Sequence, residues 1–311
     1  MPGLTIRMFG KFSVQRNDKP VPGLDACKLQ ELFAYLLIRR NAPQPRETLA
    51  ALLWGDVPTG QSKKCLRQAL WQLQTALDSH GRKGRFRTLC VEPDEARINP
   101  LADVWLDVAV FEQAFSLTRE ISGEHFERAQ ANILDEAVQL YRGDLLEGCY
   151  QDWCLCERER LQSSYLAMLN KLMSYCEAQH RYETGLTYGL RVLRYDRARE
   201  STHRRLMRLY YLAGDRTAAL RQYQQCATAL KEELGVKPAQ RTVKLYEQIQ
   251  MDQVDDPTLQ LFDSAMPRIP VTATSPELLT RLRQLGQLLS DLQRSVQHDI
   301  KAVEAILKSE R

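Results

Sequence analysis

No stretch of this 311-residue chain approaches the ~18 consecutive apolar residues that a membrane helix requires. The opening MPGLTIRMFG lacks the long apolar segment of a secretory leader, so a cytoplasmic location is expected. Also missing are the G-x-S-x-G turn of a serine nucleophile and the glycine-rich loop that cradles phosphate. Histidine is scarce, with five scattered copies. The eight cysteines include no C-x-x-C spacing, which points to reduced, mostly buried thiols and not to a disulfide framework. Their densest group, Cys149, Cys154 and Cys156 in CYQDWCLC, has no nearby histidine and no fourth ligand. It is therefore read as buried small apolar side chains, with no metal. Acidic residues are plentiful but interleave with arginines along helical segments, where they pair. These absences leave no catalytic residues, no metal site and no cofactor to assign, and an enzyme is not indicated.

What is present is an uneven charge. The net value is only +4, yet residues 1–103 carry +6, residues 104–250 are neutral and residues 251–311 carry −2. A basic excess confined to one end favours an anionic partner for that end.

The N-terminal segment LTIRMFGKFSVQRNDKPV alternates at Leu4, Ile6 and Met8, then at Phe12 and Val14, which predicts short antiparallel strands. Helical spacing of Leu29, Leu32, Phe33, Leu36 and Leu37 predicts a helix from Cys27 to Arg40. A short helix follows from Pro45, suited to a first turn, to Trp54. A third spans Gly60 to Ser79, and two strands around EPDEA complete a hairpin. From Asp107 the pattern is helical, with segments near 107–118, 124–141, 152–178, 182–195, 199–213, 216–233 and 238–250. HRYETGLTYG and GDRTAALRQY align at an offset of 34, the tetratricopeptide period, placing Gly185 on Ala219 and Gly189 on Tyr223. Residues 251–276 carry four prolines and read as a linker. Residues 277–311 hold a heptad seam of Leu278, Leu282, Leu285, Leu289, Leu292 and Val296, the candidate oligomerisation face of a coiled coil. Folding back onto its own chain is the alternative for that helix. The expected fold is an α+β winged helix-turn-helix over residues 1–103, an all-α tetratricopeptide-like domain over 104–250, and the C-terminal heptad helix.

The stretch SKKCLRQALWQLQTAL carries the candidate chemistry. Leu66, Ala69, Leu70, Leu73 and Leu77 form an inward stripe at steps of three and four. Lys63, Lys64, Arg67, Gln68, Trp71 and Gln72 occupy the opposite face. An α-helix fits the major groove, where amides and cations suit base edges and phosphates. The hairpin that follows brings Arg82, Lys83, Arg85 and Arg87, four cations within six residues. These ten residues are the candidate DNA-binding set. For Trp71, packing on the wing or on a second protein stands beside a contact with sugar or a thymine methyl.

Several segments, in order, resemble the Streptomyces antibiotic regulatory protein family, a winged helix joined to a bacterial transcriptional activator domain. They are LTIRMFGKFSV, ETLAALLWGDVP, CLRQALWQLQTAL, DVWLDVAVFEQAF with Asp107 and Phe111 in matching places, AVQLYRGDLLEG followed by ERERLQ, and the long run ending in EELGVKPAQRTVKLYEQI. The resemblance covers residues 4 to about 250. It implies a DNA-binding transcriptional regulator, usually an activator that binds repeated sites near promoters. Two positions depart from the family: Leu73-Gln74 stands where Leu-Arg is common, and Trp71 where a small polar residue is common. Double-stranded DNA is the expected partner, with RNA polymerase and a second copy of the chain as further candidates and no membrane. Two alternatives remain open at this point. One is a protein-interaction scaffold in which both halves dock partners. The other is an effector-gated regulator with a peptide or small-molecule site among its helices.

Overall fold

The computed structural model describes residues 3–78 and 87–253. Arg82, Lys83, Arg85, the linker from residue 254 onward and the whole heptad seam from Leu278 to Val296 lie outside them.

The first sheet is built from β1 (Leu4–Arg7), β2 (Ser13–Arg16), β3 (Lys19–Pro20) and β7 (Val104–Leu106) in the order β3-β2-β1-β7. Neighbours β1 and β2 are antiparallel, with Ile6 opposite Val14. The alternation read from the sequence is the burial pattern: Leu4, Ile6 and Met8 are fully buried. Asn17 and Asp18 take up positive φ in the turn between β2 and β3, the left-handed conformation these two side chains tolerate best. Strand β7 was not foreseen. It runs parallel to β1, pairing Leu4 with Val104 and Ile6 with Leu106. Its three residues alternate too briefly for periodicity to reveal them.

Three helices come next: α1 (Cys27–Ile38), α2 (Arg46–Trp54) and α3 (Thr59–Asp78). Pro45, expected inside the first turn of α2, is instead its N-cap and belongs to β4 (Gln44–Pro45). That short strand pairs with β6 (Glu95–Ile98), which also pairs with β5 (Leu89–Val91). The hairpin around Glu92–Asp94 is therefore anchored to the entry of α2. The hydrophobic stripes of α1, α2 and α3 converge on one core, where Leu32, Phe33, Leu49, Leu66, Leu73 and Leu77 are essentially inaccessible.

The remaining helices are α4 (Asp107–Thr118), α5 (Arg128–Leu140), α6 (Asp152–Ala178), α7 (Tyr182–Leu193), α8 (Glu200–Leu212), α9 (Arg216–Leu234) and α10 (Gln240–Met251). A separate 3-10 turn at Gly123–His125 replaces the expected start of α5. Helix α5 begins only after a capping box formed by Glu127 and Gln130. What holds that turn is a lysine. Lys171 Nζ on α6 donates to the carbonyls of Thr118 (2.5 Å), Arg119 (2.8 Å) and Ile121 (2.6 Å), at and just past the end of α4. Gly123 packs so closely on α6 that a Cβ there would lie 2.0 Å from the Lys171 carbonyl oxygen. The small residues of the 34-residue repeat serve a similar purpose. A Cβ on Gly189 would lie 2.6 Å from Leu206 Cδ2 and 2.8 Å from Met173 Cε, so α7 sits tightly between α6 and α8.

Where the first sheet meets the helices, five backbone groups of residues 8–10 are bonded across the junction. Met8 and Phe9 donate their N–H groups to the Asp107 carboxylate at 2.8 and 3.0 Å. The Met8 carbonyl accepts from Leu146 N, Gly10 N donates to the Asp144 carbonyl, and the Gly10 carbonyl accepts from Glu147 N, all at 2.9 Å. Phe9, Phe111 and Tyr141 pack their rings over this junction. An ion-pair chain adds to it. Glu112 of α4 accepts from Arg40 (2.6 Å) and Arg160 (2.5 Å), while Glu157 of α6 pairs with Arg160 (2.6 Å) and Arg39 (3.3 Å).

One buried histidine makes stability depend on pH. His203 of α8 is 3% exposed, with Nε2 2.8 Å from the Arg197 carbonyl and Nδ1 2.6 Å from Gln222 Nε2. These partners assign the proton to Nε2 and leave Nδ1 accepting from the amide. Burial, the largest influence, holds its pKa below the ordinary 6.5. The unfolded chain therefore takes up the proton first, and stability present above pH 6.5 is lost as pH falls from there toward the folded-state value. The wild-type unfolding free energy from urea titrations is expected to drop across that window, by at most about 1.4 kcal/mol per pH unit. His203→Gln should remove this part of the slope. Equal slopes in both chains would show that the imidazole is not the group responsible.

Candidate nucleic-acid interface

Helix α3 positions the candidate residues by its own period. Leu66, Ala69, Leu70, Leu73 and Leu77 are buried, together with Ser62, whose hydroxyl donates to the Thr59 carbonyl at 3.0 Å. The opposite face then carries two parallel rows at i, i+4 spacing: Lys63, Arg67 and Trp71 in one, and Lys64, Gln68 and Gln72 in the other. All six are exposed. At 1.5 Å per residue each row is about 12 Å long. Arg16 of β2 donates to the Leu77 carbonyl and so fixes the far end of the helix.

The six side chains are not equivalent. Lys63 Nζ lies 2.6 Å from Glu47 Oε1 on α2, and that hydrogen-bonded ammonium holds the exposed Glu47 carboxyl below its usual range. Its charge is already partnered within the fold. Lys64, Arg67, Gln68 and Gln72 make no side-chain hydrogen bond or ion pair with any described residue. Trp71 is 65% exposed. It stands at the edge of an apolar recess lined by Pro22, Gly23, Ala26, Leu29, Thr75 and Ala76.

Arg87 is the one expected wing cation among the described residues. It is exposed, and its carbonyl accepts from Asn99 Nδ2 at 2.7 Å, which pins the backbone where the hairpin begins. A feature not foreseen is the groove of about 640 Å³ beside Arg67, floored by Leu66 and walled by Arg46, Thr48 and Pro93. Arg46 donates to the carbonyls of Glu92 and Pro93 at 3.3 Å, tying α2 to the hairpin turn. Proximity across chain segments created this groove, and local spacing carried no sign of it. Asp94 and Glu47 also line it, so its rim carries both signs of charge.

The cysteines need a correction. Only Cys154, Cys176 and Cys226 are buried; Cys65, Cys90 and Cys149 are partly exposed, and Cys27 and Cys156 are exposed. Position on a helix face decides this, and Cys156 points away from the face of α6 that buries Cys154. Among the described residues no group of His, Cys, Asp and Glu is arranged to hold a metal, and no helix is long and apolar enough to cross a membrane.

Residues 106–250 match the bacterial transcriptional activator domain. The chain is 25% identical over 228 residues to the transcriptional regulatory protein MoaR1 of Mycobacterium bovis and of Mycobacterium tuberculosis, covering 73% of each chain. It is 26% identical over 265 residues to the regulatory protein AfsR of Streptomyces coelicolor, covering 84% of this chain and 25% of that larger protein. The chain is similar to transcriptional regulators of the Streptomyces antibiotic regulatory protein type. Its fold is similar to that of Mycobacterium tuberculosis EmbR, solved in complex with a low-affinity phosphopeptide. The TM-score is 0.68 at 21% identity, with 84% of this chain and 68% of EmbR covered. In this regulator the matched activator domain begins inside β7, one residue before Asp107.

Proposed function

We propose that this regulator binds double-stranded DNA through a winged helix-turn-helix, with α3 in the major groove, and acts as a transcriptional activator. The observation that carries the reading is the outer face of α3, where Lys64, Arg67, Gln68 and Gln72 stand exposed and have no side-chain partner among the described residues, on a well-packed helix. Guanidinium and amide groups suit bidentate contacts to base edges, and the ammonium suits a phosphate. Lys63, held by Glu47, serves as a brace between α2 and α3. Arg87, with Arg82, Lys83 and Arg85 of the same basic stretch, neutralises flanking phosphates. The tetratricopeptide-like helices of the activator domain supply the surface for a protein partner, with RNA polymerase as the candidate.

A second reading, docking of a protein on this half, is favoured by the apolar recess beside Trp71. Salt separates the two. Phosphate binding releases counterions, so log K should fall linearly with log salt at about −0.9 per phosphate neutralised. The test is a titration of labelled genomic fragments at several salt concentrations. A steep slope supports the DNA reading, while no binding even in dilute buffer would overturn it.

A further inference from the structure

The groove beside Arg67 joins three elements. Arg46 and Glu47 come from the first turn of α2, Lys63 and Arg67 from α3, and Asp94 from the turn between β5 and β6. Backbone bonding fixes their places. Arg46 N donates to the Asp94 carbonyl at 2.8 Å, and the pairing of β4 with β6 sets Pro45 opposite Glu95. The start of α2 and the hairpin turn are thus one framework, with α3 packed along it.

Three cations alone would make this groove a channel for phosphates. Two carboxylates oppose that. Glu47 Oε1 holds the Lys63 ammonium at 2.6 Å, in a pair whose two side chains are both exposed. Arg46 is engaged as well, donating to the carbonyls of Glu92 and Pro93. Asp94 is exposed, and its carboxylate has no partner among the described residues. Arg67 is then the one groove cation that no described side chain or carbonyl engages. A nucleic-acid backbone entering here would meet the Asp94 carboxylate. It would also have to draw Lys63 away from Glu47, leaving a second carboxylate unneutralised beside the phosphates.

We propose that Glu47 and Asp94 are specificity-determining residues, which bar the phosphate backbone from this groove and so suppress binding to random sequence. The inference rests on the reading of α3 as the duplex-facing helix. A complex on the cognate site is fixed in register by its base contacts. On random sequence no base contact fixes it, and the protein slides and tilts to whichever phosphates it can neutralise. Closing one more phosphate subsite therefore weakens the random complex and leaves the cognate one nearly as it was. Like charge set against the wrong partner raises discrimination in the same way at other interfaces. Lys63 is the cation that the two carboxylates keep out of reach.

The experiment titrates the full chain by anisotropy against a selected genomic fragment and a shuffled duplex, across a salt series. The double variant Glu47→Gln with Asp94→Asn should bind the shuffled duplex about eightfold more tightly at about 0.1 M salt. Its slope of log K against log salt should steepen by about 0.9, the value of one further phosphate. The selected fragment should gain less than about twofold, so the ratio of the two affinities falls. Adding Lys63→Ala removes the freed ammonium and should undo most of the gain. Glu47→Asp alone keeps the charge and should keep the wild-type slope. Circular dichroism confirms that each variant is folded before it is scored. Equal tightening on both duplexes, or double-variant curves that overlay the wild type, would overturn the proposal and leave the reading of α3 standing. A wild-type chain that binds neither duplex in dilute buffer would sink both.

Discussion

Asp107→Ala is expected to destabilise this regulator by about 2–6 kcal/mol. The carboxylate is 2% exposed and accepts from Met8 N, Phe9 N and Val108 N. Removing it strands the Met8 and Phe9 donors in the interior, at roughly 1–3 kcal/mol each. Burial, the largest influence on the group, pushes its carboxyl above the usual aspartate range, while the three N–H donors favour the charged form. Asp107→Asn keeps one acceptor oxygen but turns an NH₂ toward a donor, so an intermediate loss is expected. Urea-unfolding midpoints for the three chains should rank wild type, Asn, Ala. A midpoint for Asp107→Ala within error of wild type would show that another group satisfies residues 8 and 9.

On the DNA side, Arg67→Ala and Gln72→Ala are expected to weaken cognate binding by roughly 1–3 kcal/mol, about 5- to 150-fold, and to leave random-sequence binding less affected. Arg87→Ala should weaken both duplexes alike and make the salt slope shallower by about one phosphate equivalent. The contrast matters more than either number. A base contact carries sequence information and a phosphate contact does not. Lys63→Ala gives an internal control, because its ammonium already pairs with Glu47: its effect should be the smallest of the α3 set. Anisotropy titrations on a selected fragment and a shuffled one supply all four comparisons. If Arg67 and Gln72 variants bind the selected fragment as wild type does, α3 is not the reading element.

Periodicity explains how much of this was legible. The stripe from Leu66 to Leu77 repeats often enough for its burial to follow from spacing alone, and the exposed rows follow by subtraction. The glycines at 185 and 189 stood out because their repeat partners lie 34 residues on. What spacing could not reveal depends on residues far apart in sequence. Strand β7 needs β1, about a hundred positions earlier, to exist at all. Lys171 has nothing in its own helix to mark it as the cap of α4. Asp107 stood out only through the family resemblance, and its physical purpose came from two N–H groups at the other end of the chain segment. The cysteines were misjudged for a related reason. Burial was expected of the whole cluster, whereas place on the α6 face decides it, leaving Cys154 buried, Cys149 partly exposed and Cys156 exposed.

The parallel pairing of β1 with β7 has a consequence for how such regulators can be rearranged. The strand that closes the N-terminal sheet leads directly into the helices of the matched activator domain, and the residue after it satisfies the backbone just beyond the chain's first strand. An N-terminal unit excised before Val104 would lose its edge strand and the Asp107 carboxylate latch at once. Grafting it onto a foreign effector would therefore require carrying Val104–Asp107 along, so that the functional seam and the structural seam of the molecule fall at different places.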